Sequence, residues 1–280
     1  MTADDRIDEI LATGGLKSEL KMSVKAQSQN DNIKYLLRIT GVGPAKAKKL
    51  SQMNITLDML LNAVNKGESP NVQCSPLSHL THHQYLGVKH FHDTEKRIPR
   101  GEIDKINQLL SNYLSNFYGV NELMICGSYR RGLPDSGDID LLIMSDGVID
   151  KYDDTLIRIV ECLEQEEFLV DHLTENGTTK YMGYCRLHPA LPARRIDIRL
   201  IEPSSFWPAV LYFTGSGMFN RNMRADALKL GYTLNEYGLY SVKAIEGRKI
   251  IKGNKQHVTS EKDIFDILKM KYINPEDRNV

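Results

Sequence analysis

The segment Gly127-Ser-Tyr-Arg-Arg-Gly-Leu-Pro-Asp-Ser-Gly-Asp-Ile-Asp140 lies between two short apolar runs that predict strands. Residues i and i+2 of a strand point to the same face, so Asp138 and Asp140 project together while Ile139 enters the core. Two carboxylates a few Å apart repel by several kcal/mol at an effective dielectric of about 20. A divalent cation relieves that repulsion, and hard oxygen ligands suit magnesium. The segment therefore predicts a sheet with a two-carboxylate magnesium site at the start of a strand.

The residues ahead of these carboxylates are small, hydroxylated or basic. Ser128, the backbone near Gly127, and Arg131 are expected to face phosphates that share the metal. An acidic turn at the start of a strand would explain Asp-x-Asp by itself. It would not explain Gly-Ser, Arg-Arg and Gly-Asp-x-Asp occurring together, so a metal and phosphate site is the favoured interpretation.

A second charged strand follows at residues 194–200. Its apolar side chains share one face, and Arg195, Asp197 and Arg199 share the other. Taken alone, this pattern is typical of a surface strand with paired charges. Beside a two-carboxylate site, Asp197 becomes the natural third ligand, because three aspartates on neighbouring strands can hold two magnesium ions for in-line phosphoryl transfer.

Near the start of the chain, Gly41-Val-Gly-Pro-Ala45 predicts a tight turn that leads into a helix with Pro44 at its first position. Lys46 and two further lysines follow, and residues 32–57 contain no Asp or Glu. This layout is typical of a helix–hairpin–helix, which grips a DNA phosphate without reading sequence. A plain turn with a solvated basic face is the alternative. The zero net charge, 36 Lys and Arg against 36 Asp and Glu, does not weigh against DNA binding, because nearby charges count most.

The composition is that of an ordinary folded protein. The chain has 280 residues, which predicts about two domains, and 41% of them are hydrophobic. The four cysteines form no Cys-x-x-Cys pair, which favours a reduced intracellular protein over a zinc site. No apolar run approaches the roughly 18 residues of a membrane span, and the acidic start predicts no secretory signal.

The apolar period changes along the chain and predicts an α+β fold with a mostly antiparallel sheet. We expect a short helix at residues 6–11, a polar linker around residues 23–32, and a helical region up to residue 99. An amphipathic helix follows Pro99, and a small mixed region begins at residue 210. The remaining predicted elements are helices at residues 154–168, 218–230 and 264–270 and strands at residues 123–126, 139–144 and 194–200.

Taken in order, these motifs resemble the X family of DNA polymerases, and most closely its polymerase-beta branch. The match runs from about residue 7 to residue 280. The matching motifs lie at residues 7–14, 41–44, 95–100, 127–132, 137–140, 194–200, 211–216, 222–224 and 235–237.

The resemblance implies a nucleotidyltransferase palm at residues 100–209, after a helical helix–hairpin–helix DNA-binding subdomain at residues 1–99. A nucleotide-selecting subdomain at residues 210–280 completes the implied organisation. The implied activity is DNA-directed DNA synthesis, in which dNTPs are added to a primer 3′-hydroxyl to fill short gaps in base excision repair. A template-independent nucleotidyltransferase of the same superfamily is the alternative. A non-catalytic DNA-binding module would leave the three aspartates unexplained.

The resemblance also implies residues for the metals and the incoming nucleotide. Asp138, Asp140 and Asp197 look like ligands of two Mg²⁺ ions, for which Mn²⁺ can substitute, and Asp197 looks able to accept the primer hydroxyl proton. The residues that resemble triphosphate ligands are Arg97, Ser128, Arg131 and Gly137. Those that resemble the sugar-packing turn and a probe of the new base pair are Tyr212, Phe213, Gly215 and Asn220.

Other implied roles concern DNA and conformational change. The residues that resemble DNA contacts are Gly41, Gly43, Ala45, Lys46, Lys180, Arg195 and Arg224. The backbone carbonyls of Leu37, Ile39 and Val42 resemble a Na⁺ or K⁺ site. Arg199 and Glu236 are expected to form a conformational switch in which Arg199, on the same strand face as the site, pairs with Asp140 when nucleotide is absent.

The sequence departs from the family pattern in two places. Gly217 stands where the family relative has an aspartate after Thr-Gly-Ser. The family's lyase domain, with its Schiff-base lysine, matches nothing in this sequence, so lyase activity is expected to be absent. We expect a nuclear monomer that acts on gapped or primer–template DNA and dNTPs and does not bind membranes.

Overall fold

A computed structural model of the chain describes residues 17–146, 154–174, 177–247 and 249–280. The chain forms two compact units, Met1–Phe91 and His92–Val280. Each unit has its own hydrophobic core. The helix predicted at residues 6–11 and the motif at residues 7–14 lie outside the described residues.

The first unit is helical, as predicted. Its core is built by apolar residues from every helix, with Leu36, Leu50, Leu60 and Leu77 fully buried. The helices are α1 (Lys17–Leu36), α2 (Pro44–Gln52), α3 (Leu57–Asn65), a 3₁₀ turn (Pro76–His79), and α4 (His82–Lys89).

The polar linker predicted around residues 23–32 is wrong, because α1 runs through this stretch. Residues 16–40 contain neither proline nor glycine, so nothing in the backbone interrupts the helix. Tertiary contacts also hold this helix: Asn32 Nδ2 donates to the Ile55 carbonyl at 3.0 Å, and Ser51 Oγ donates to the Gln29 carbonyl at 3.3 Å. Residues 23–32 therefore form a polar part of α1, which is stabilised by contacts with distant residues that local composition does not predict.

The second unit is built on a five-stranded sheet, which confirms the α+β prediction. The strand order is β2-β4-β7-β6-β5, and every neighbouring pair is antiparallel except β4 and β7. The strands are β2 (Glu122–Ile125), β4 (Ile139–Met144), β5 (Leu169–His172), β6 (Lys180–Cys185) and β7 (Arg194–Ile201). A separate two-stranded ladder joins β1 (Ile98–Pro99) to β3 (Asp135–Ser136).

Strand β4 is buried on both faces, which places it at the centre of the unit. Ile139, Leu141 and Ile143 pack with helices on one face, and Leu142 packs against Phe206 on the other. The helices of the first face are α6 (Arg100–Leu114) and α8 (Thr155–Gln165), and the opposite face is covered by α9 (Phe206–Thr214). Two short helices, α5 (Phe91–Thr94) and α7 (Gly127–Arg130), connect these elements.

The last part of the chain forms a smaller cluster with its own buried residues. It contains α10 (Gly217–Lys229), the antiparallel strands β8 (Tyr232–Asn235), β9 (Gly238–Glu246) and β10 (Lys249–Lys255), α11 (Glu261–Ile267), and a 3₁₀ turn (Pro275–Arg278). Gly231 follows the end of α10 with a φ of +79°, and Ser260 and Asp263 form a capping box at the start of α11.

Helix α9 crosses the boundary predicted between residues 209 and 210, and the three-part division stays a prediction. Within the described ranges, no helix is both long enough and apolar enough to span a membrane.

Candidate active site

The Gly-Ser motif forms the short helix α7 directly after β2, and its first residue fits only as glycine. Gly127 has φ +59°, and a Cβ added there would lie 2.6 Å from Asp140 Oδ2. The Cys126 amide also donates to the Asp140 carbonyl at 2.8 Å. The backbone of α7 therefore lies directly against the carboxylate of Asp140.

The three predicted aspartates lie on two neighbouring parallel segments. The β4–β7 ladder pairs Asp140 with Asp197, and Asp138 comes immediately before β4. Burial, followed by the charges of Asp138 and Asp197, raises the pKa of Asp140 to about 7. Desolvation and then the charge of Asp197 raise the pKa of Asp138. The carboxylates thus repel one another, as the sequence predicted.

Asp197 is not free in this structure. Its Oδ1 accepts a hydrogen bond from Arg195 Nη2 at 2.6 Å, and Arg195 Nη1 donates to the Gly183 carbonyl at 3.0 Å. Among the residues that the structure describes, no three His, Cys, Asp or Glu side chains are grouped closely enough to hold a metal ion. The donor set still fits a hard divalent cation, because carboxylate oxygens lie beside β4 and β7, where the charges of Asp138 and Asp197 raise the pKa of Asp140.

The predicted triphosphate residues lie around α7 and β3. Arg131 Nη1 donates to the Thr214 carbonyl at 2.6 Å, and burial lowers the pKa of Arg131, against the charge of Asp140. Ser128 Oγ donates to Ser136 Oγ at 2.8 Å. Arg97 and Gly137 are also in contact, since a Cβ on Gly137 would lie 3.1 Å from Arg97 Nη1. Ser128 and Arg131 therefore lie on the Asp140 side of the site. Arg97 and Gly137 lie together beside the segment that precedes Asp138.

The predicted sugar and base-pair residues meet at the end of α9. Asn220 Nδ2 donates to the Tyr212 carbonyl at 2.6 Å, and Arg224 lines the same small cavity. Thr214, which ends α9, is fully buried, and Gly215 follows with φ +71°. Gly215 also lies close to Arg131, because an added Cβ would be 3.2 Å from Arg131 Nη1. The turn at Gly215 therefore lies next to Arg131, one of the expected triphosphate residues.

The ion pair predicted between Arg199 and Asp140 is not formed, and this is a correction. The guanidinium of Arg199 lies 4.7 Å from the centre of the Phe213 ring instead. The β4–β7 register sets Arg199 opposite Leu142, one strand repeat beyond Asp140, where the aromatic ring offers a cation–π contact. Arg199 and Glu236, the second predicted switch residue, line one cavity of about 280 Å³. Lys180 pairs in register with Arg199 on the neighbouring strand β6.

A buried ionic network near this site was missed by sequence reasoning. Glu261 accepts hydrogen bonds from Arg130 Nη2 at 2.6 Å and from Arg278 Nη1 at 2.8 Å, and Arg130 Nη1 donates to Thr214 Oγ1 at 2.8 Å. Arg278 is completely buried. The adjacent arginines of the Ser-Tyr-Arg-Arg motif were a signal, since neighbouring residues of a short helix face different partners.

The predicted DNA-binding hairpin lies in the first unit and has the expected local structure. Gly41 has φ +83°, and a Cβ there would lie 2.5 Å from the His83 ring. Gly43 is the N-cap of α2 and Pro44 its first residue. Gln84 Nε2 donates to the Gly41 carbonyl at 3.1 Å, which ties α4 to the turn.

The structure shows what surrounds two groups with expected roles in this hairpin, the Lys46 ammonium and the three carbonyls. The Lys46 ammonium donates to the His79 carbonyl, so it is engaged within the fold, whereas Lys48, Lys49 and Ala45 are exposed. The three carbonyls expected to hold a monovalent ion belong to Leu37, Ile39 and Val42. The Ile39 carbonyl already accepts a hydrogen bond from the Val42 amide at 3.0 Å. Leu37 is exposed. A carbonyl oxygen has two lone pairs, so this bond does not preclude an ion.

Comparison with known proteins identifies the second unit. The family model of the DNA polymerase beta palm matches residues 97–203, and that of the DNA polymerase beta thumb matches residues 209–279. The chain is similar to DNA polymerase lambda of Rattus norvegicus, with 38% identity over 211 residues, 72% of this chain and 36% of the relative. It is also similar to DNA polymerase lambda of Arabidopsis thaliana, with 31% identity over 291 residues, 99% of this chain and 51% of the relative.

The chain therefore spans about half or less of the length of these curated relatives. The two matched domains are the parts that contain the aspartates, α7 and the Gly215 turn. With this sheet, this placement of carboxylates and these matches, the chain belongs to the X family of DNA polymerases.

Proposed function

We propose that this chain is a metal-dependent, DNA-directed DNA polymerase that extends a primer 3′-hydroxyl and fills short gaps during DNA repair. The observation that carries the proposal is the pairing of Asp140 with Asp197 in the β4–β7 ladder, with Asp138 immediately before β4 and α7 against Asp140. This arrangement would supply a cation site and a phosphate site side by side, which phosphoryl transfer requires.

Asp138, Asp140 and Asp197 are the residues that would hold the cations, Mg²⁺ or in its place Mn²⁺. When bound, such ions neutralise phosphate charge and lower the pKa of a hydroxyl nucleophile. Asp197 has its Oδ1 occupied by Arg195, so Oδ2 is the atom that we assign to accept the proton of the primer hydroxyl. Arg195 thereby orients the acceptor.

The phosphate and sugar residues act by positioning. Arg131, held by the Thr214 carbonyl, and Ser128 and Arg97 would fix the triphosphate of the incoming dNTP. The turn at Gly215 would pack against the sugar. Asn220 and Arg224 share a face of α10, from which they would contact the edge of the new base pair.

The hairpin of the first unit would add affinity for the DNA backbone, and the carbonyls of Leu37, Ile39 and Val42 would hold a Na⁺ or K⁺ ion, which would offset phosphate charge. This hairpin favours a DNA-templated enzyme over a template-independent nucleotidyltransferase, which would not need it. A monomeric state, a nuclear location and the choice of gapped DNA remain predictions.

Primer extension tests the proposal directly. We expect dNTP incorporation on a gapped duplex that depends on Mg²⁺ and follows the template base, and none on a primer without template. Asp197→Asn keeps the shape of the side chain but removes a ligand and a proton acceptor, so turnover should fall by at least about a hundredfold. Extension without template, or an Asp197→Asn variant with the parent's kcat, would contradict the proposal.

A further inference from the structure

One buried ion pair joins the segments that carry the site but belongs to none of the roles above. We propose that Arg194 is a positioning residue, which holds the segment of Arg97 and Asp138 in place against strand β7. The inference rests on the proposed function, because it concerns groups assigned there to nucleotide and metal.

The pair is almost completely removed from solvent. The side chain of Arg194 is 5% exposed and that of Glu102 is 10% exposed. Two parallel bonds join them, Nε to Oε1 at 2.8 Å and Nη2 to Oε2 at 2.7 Å. A bidentate pair of this kind fixes both distance and orientation, which a single contact does not. Arg194 begins β7, and Glu102 lies in the first turn of α6.

The third nitrogen of the same guanidinium reaches the chain just before β1. Arg194 Nη1 donates to the Lys96 carbonyl at 2.9 Å. Lys96 immediately precedes Arg97, the expected triphosphate ligand. A single side chain therefore ties the start of β7 both to α6 and to the backbone of the Arg97 segment.

That segment in turn determines where Asp138 lies. Strand β1 pairs with β3, which runs directly into Gly137 and Asp138. Two further bonds reinforce the ladder: Arg97 forms an ion pair with Asp135 at 2.8 Å, and the Arg100 amide donates to the Pro134 carbonyl at 2.9 Å. The path from Arg194 to Asp138 thus alternates hydrogen bonds with two short covalent stretches of chain, residues 96–98 and 136–138.

Asp138 needs such a device because it lies outside the central ladder. The first register pair of β4 and β7 is Ile139 with Ile196, so that ladder aligns Asp140 with Asp197 but leaves Asp138 unpaired in it. The β1–β3 ladder and its attachment through Arg194 add a second connection between Asp138 and β7, beside the peptide bond from Asp138 to Ile139. We infer that the ion pair aligns the two sides of the metal site.

The test must separate positioning from simple stabilisation. Removal of one partner leaves a buried charge, and that variant can fail to fold. We therefore choose the double variant Arg194→Met with Glu102→Leu, which replaces the pair by apolar side chains of similar volume and loses the bond to Lys96. Leu163→Ala, in the palm core on α8, is the matched control, because it destabilises the same unit without touching the pair.

Two readouts are compared at a temperature where each protein is folded by circular dichroism. The first is dNTP affinity with Mg²⁺ on gapped DNA whose primer ends in a dideoxynucleotide, so that no bond can form. The second is kcat and KM on an extendable primer. For the double variant we expect dNTP affinity and kcat each to fall by about tenfold to a hundredfold, the range typical of a misplacement of about 1 Å. Leu163→Ala should lower the melting temperature and leave both readouts near the parent's.

Parent-like affinity and kcat in the double variant would overturn the inference. If the double variant does not fold, Arg194→Lys decides, since lysine keeps the charge but cannot make all three contacts. A fall of about tenfold to a hundredfold in dNTP affinity and kcat in Arg194→Lys would then support the inference, and parent-like values of both would overturn it. The Asp197→Asn result distinguishes the two levels: loss of turnover there, with no effect at Arg194, refutes this inference alone.

Discussion

The carboxylate of Asp140 shows how a single residue can serve a site at the expense of the fold. Its pKa is raised to about 7 by burial and by its two acidic neighbours, whereas an unperturbed aspartate has 3.8. At low pH both the folded and the unfolded chain hold the proton, and the folded state keeps its full stability. As the pH rises through 7, the unfolded chain has already ionised, so stability is lost.

Asp140→Asn should therefore stabilise the metal-free protein at pH 8 by up to about 4 kcal/mol, from 1.36 kcal/mol per pKa unit, while abolishing turnover. The gain should shrink toward pH 4. Thermal unfolding in EDTA at several pH values measures it. The exposed Asp226→Asn is the control and should show no such gain. A gain of the same size at every pH would show that Asp140 is not electrostatically strained.

Gly127 makes the second prediction at this scale. Alanine there needs a positive φ and places a Cβ 2.6 Å from Asp140 Oδ2. Gly127→Ala should cost about 1–2 kcal/mol of stability and lower kcat more than tenfold, because α7 must move away from the carboxylate. Gly217→Ala is the matched control, since a Cβ there meets nothing within 4 Å. Equal effects of the two substitutions on kcat would contradict the close approach.

Among the elements, β4 and β7 were the most predictable from sequence. The predicted strand at residues 139–144 coincides with β4, and the apolar positions of β7 repeat every second residue. The strands β5, β6, β8, β9 and β10 were not predicted. In β6, Gly183 interrupts a short run without regular alternation, and its pairing with β5 and β7 makes it a strand.

The hairpin at Gly41 carries a prediction at the same scale. Lys48 and Lys49 are exposed, whereas Lys46 is bonded to the His79 carbonyl. Lys48→Gln with Lys49→Gln should reduce the slope of log affinity against log salt by about one unit per lost phosphate contact, with an unchanged melting temperature. Binding to duplex DNA over a salt series measures it.

Two single variants complete that experiment. Lys46→Gln should lower the melting temperature as well as affinity, because it removes a bond within the fold. The exposed Lys66→Gln, in the same unit, should change neither. A parent-like salt slope after loss of both Lys48 and Lys49 would show that the hairpin is structural only.

At the scale of the whole second unit, Glu261 joins three distant parts of the chain. It bonds Arg130 of α7 and Arg278 near the last described residues, and Arg130 reaches Thr214 at the end of α9. Burial works to raise the pKa of Glu261, but the two arginines outweigh it, and the net pKa is lowered. Its contribution to stability is therefore present above its ordinary pKa of 4.5 and is lost as the pH falls below it.

Glu261→Gln should cost about 3–5 kcal/mol at pH 7, because two buried guanidinium groups lose their counter-charge. The loss should diminish at acid pH, where the parent also loses the interaction. Urea unfolding at pH 7 and pH 4 measures both effects, and Lys262→Gln on the exposed side of α11 is the control. A loss below about 1 kcal/mol at pH 7 would mean that the network contributes little.

Sequence alone determined the parts of this protein that depend on local spacing. Asp138, Asp140 and Asp197 were placed by the two-residue period of strands, and the hairpin by glycine and proline at fixed positions. The contacts of long side chains depended on tertiary structure. Arg199 lies over Phe213 rather than beside Asp140, and Lys46 is bonded inside the fold. Local period specifies the direction in which a side chain leaves the backbone, but a flexible arginine or lysine finds its partner only among groups that the folded chain brings near from distant positions.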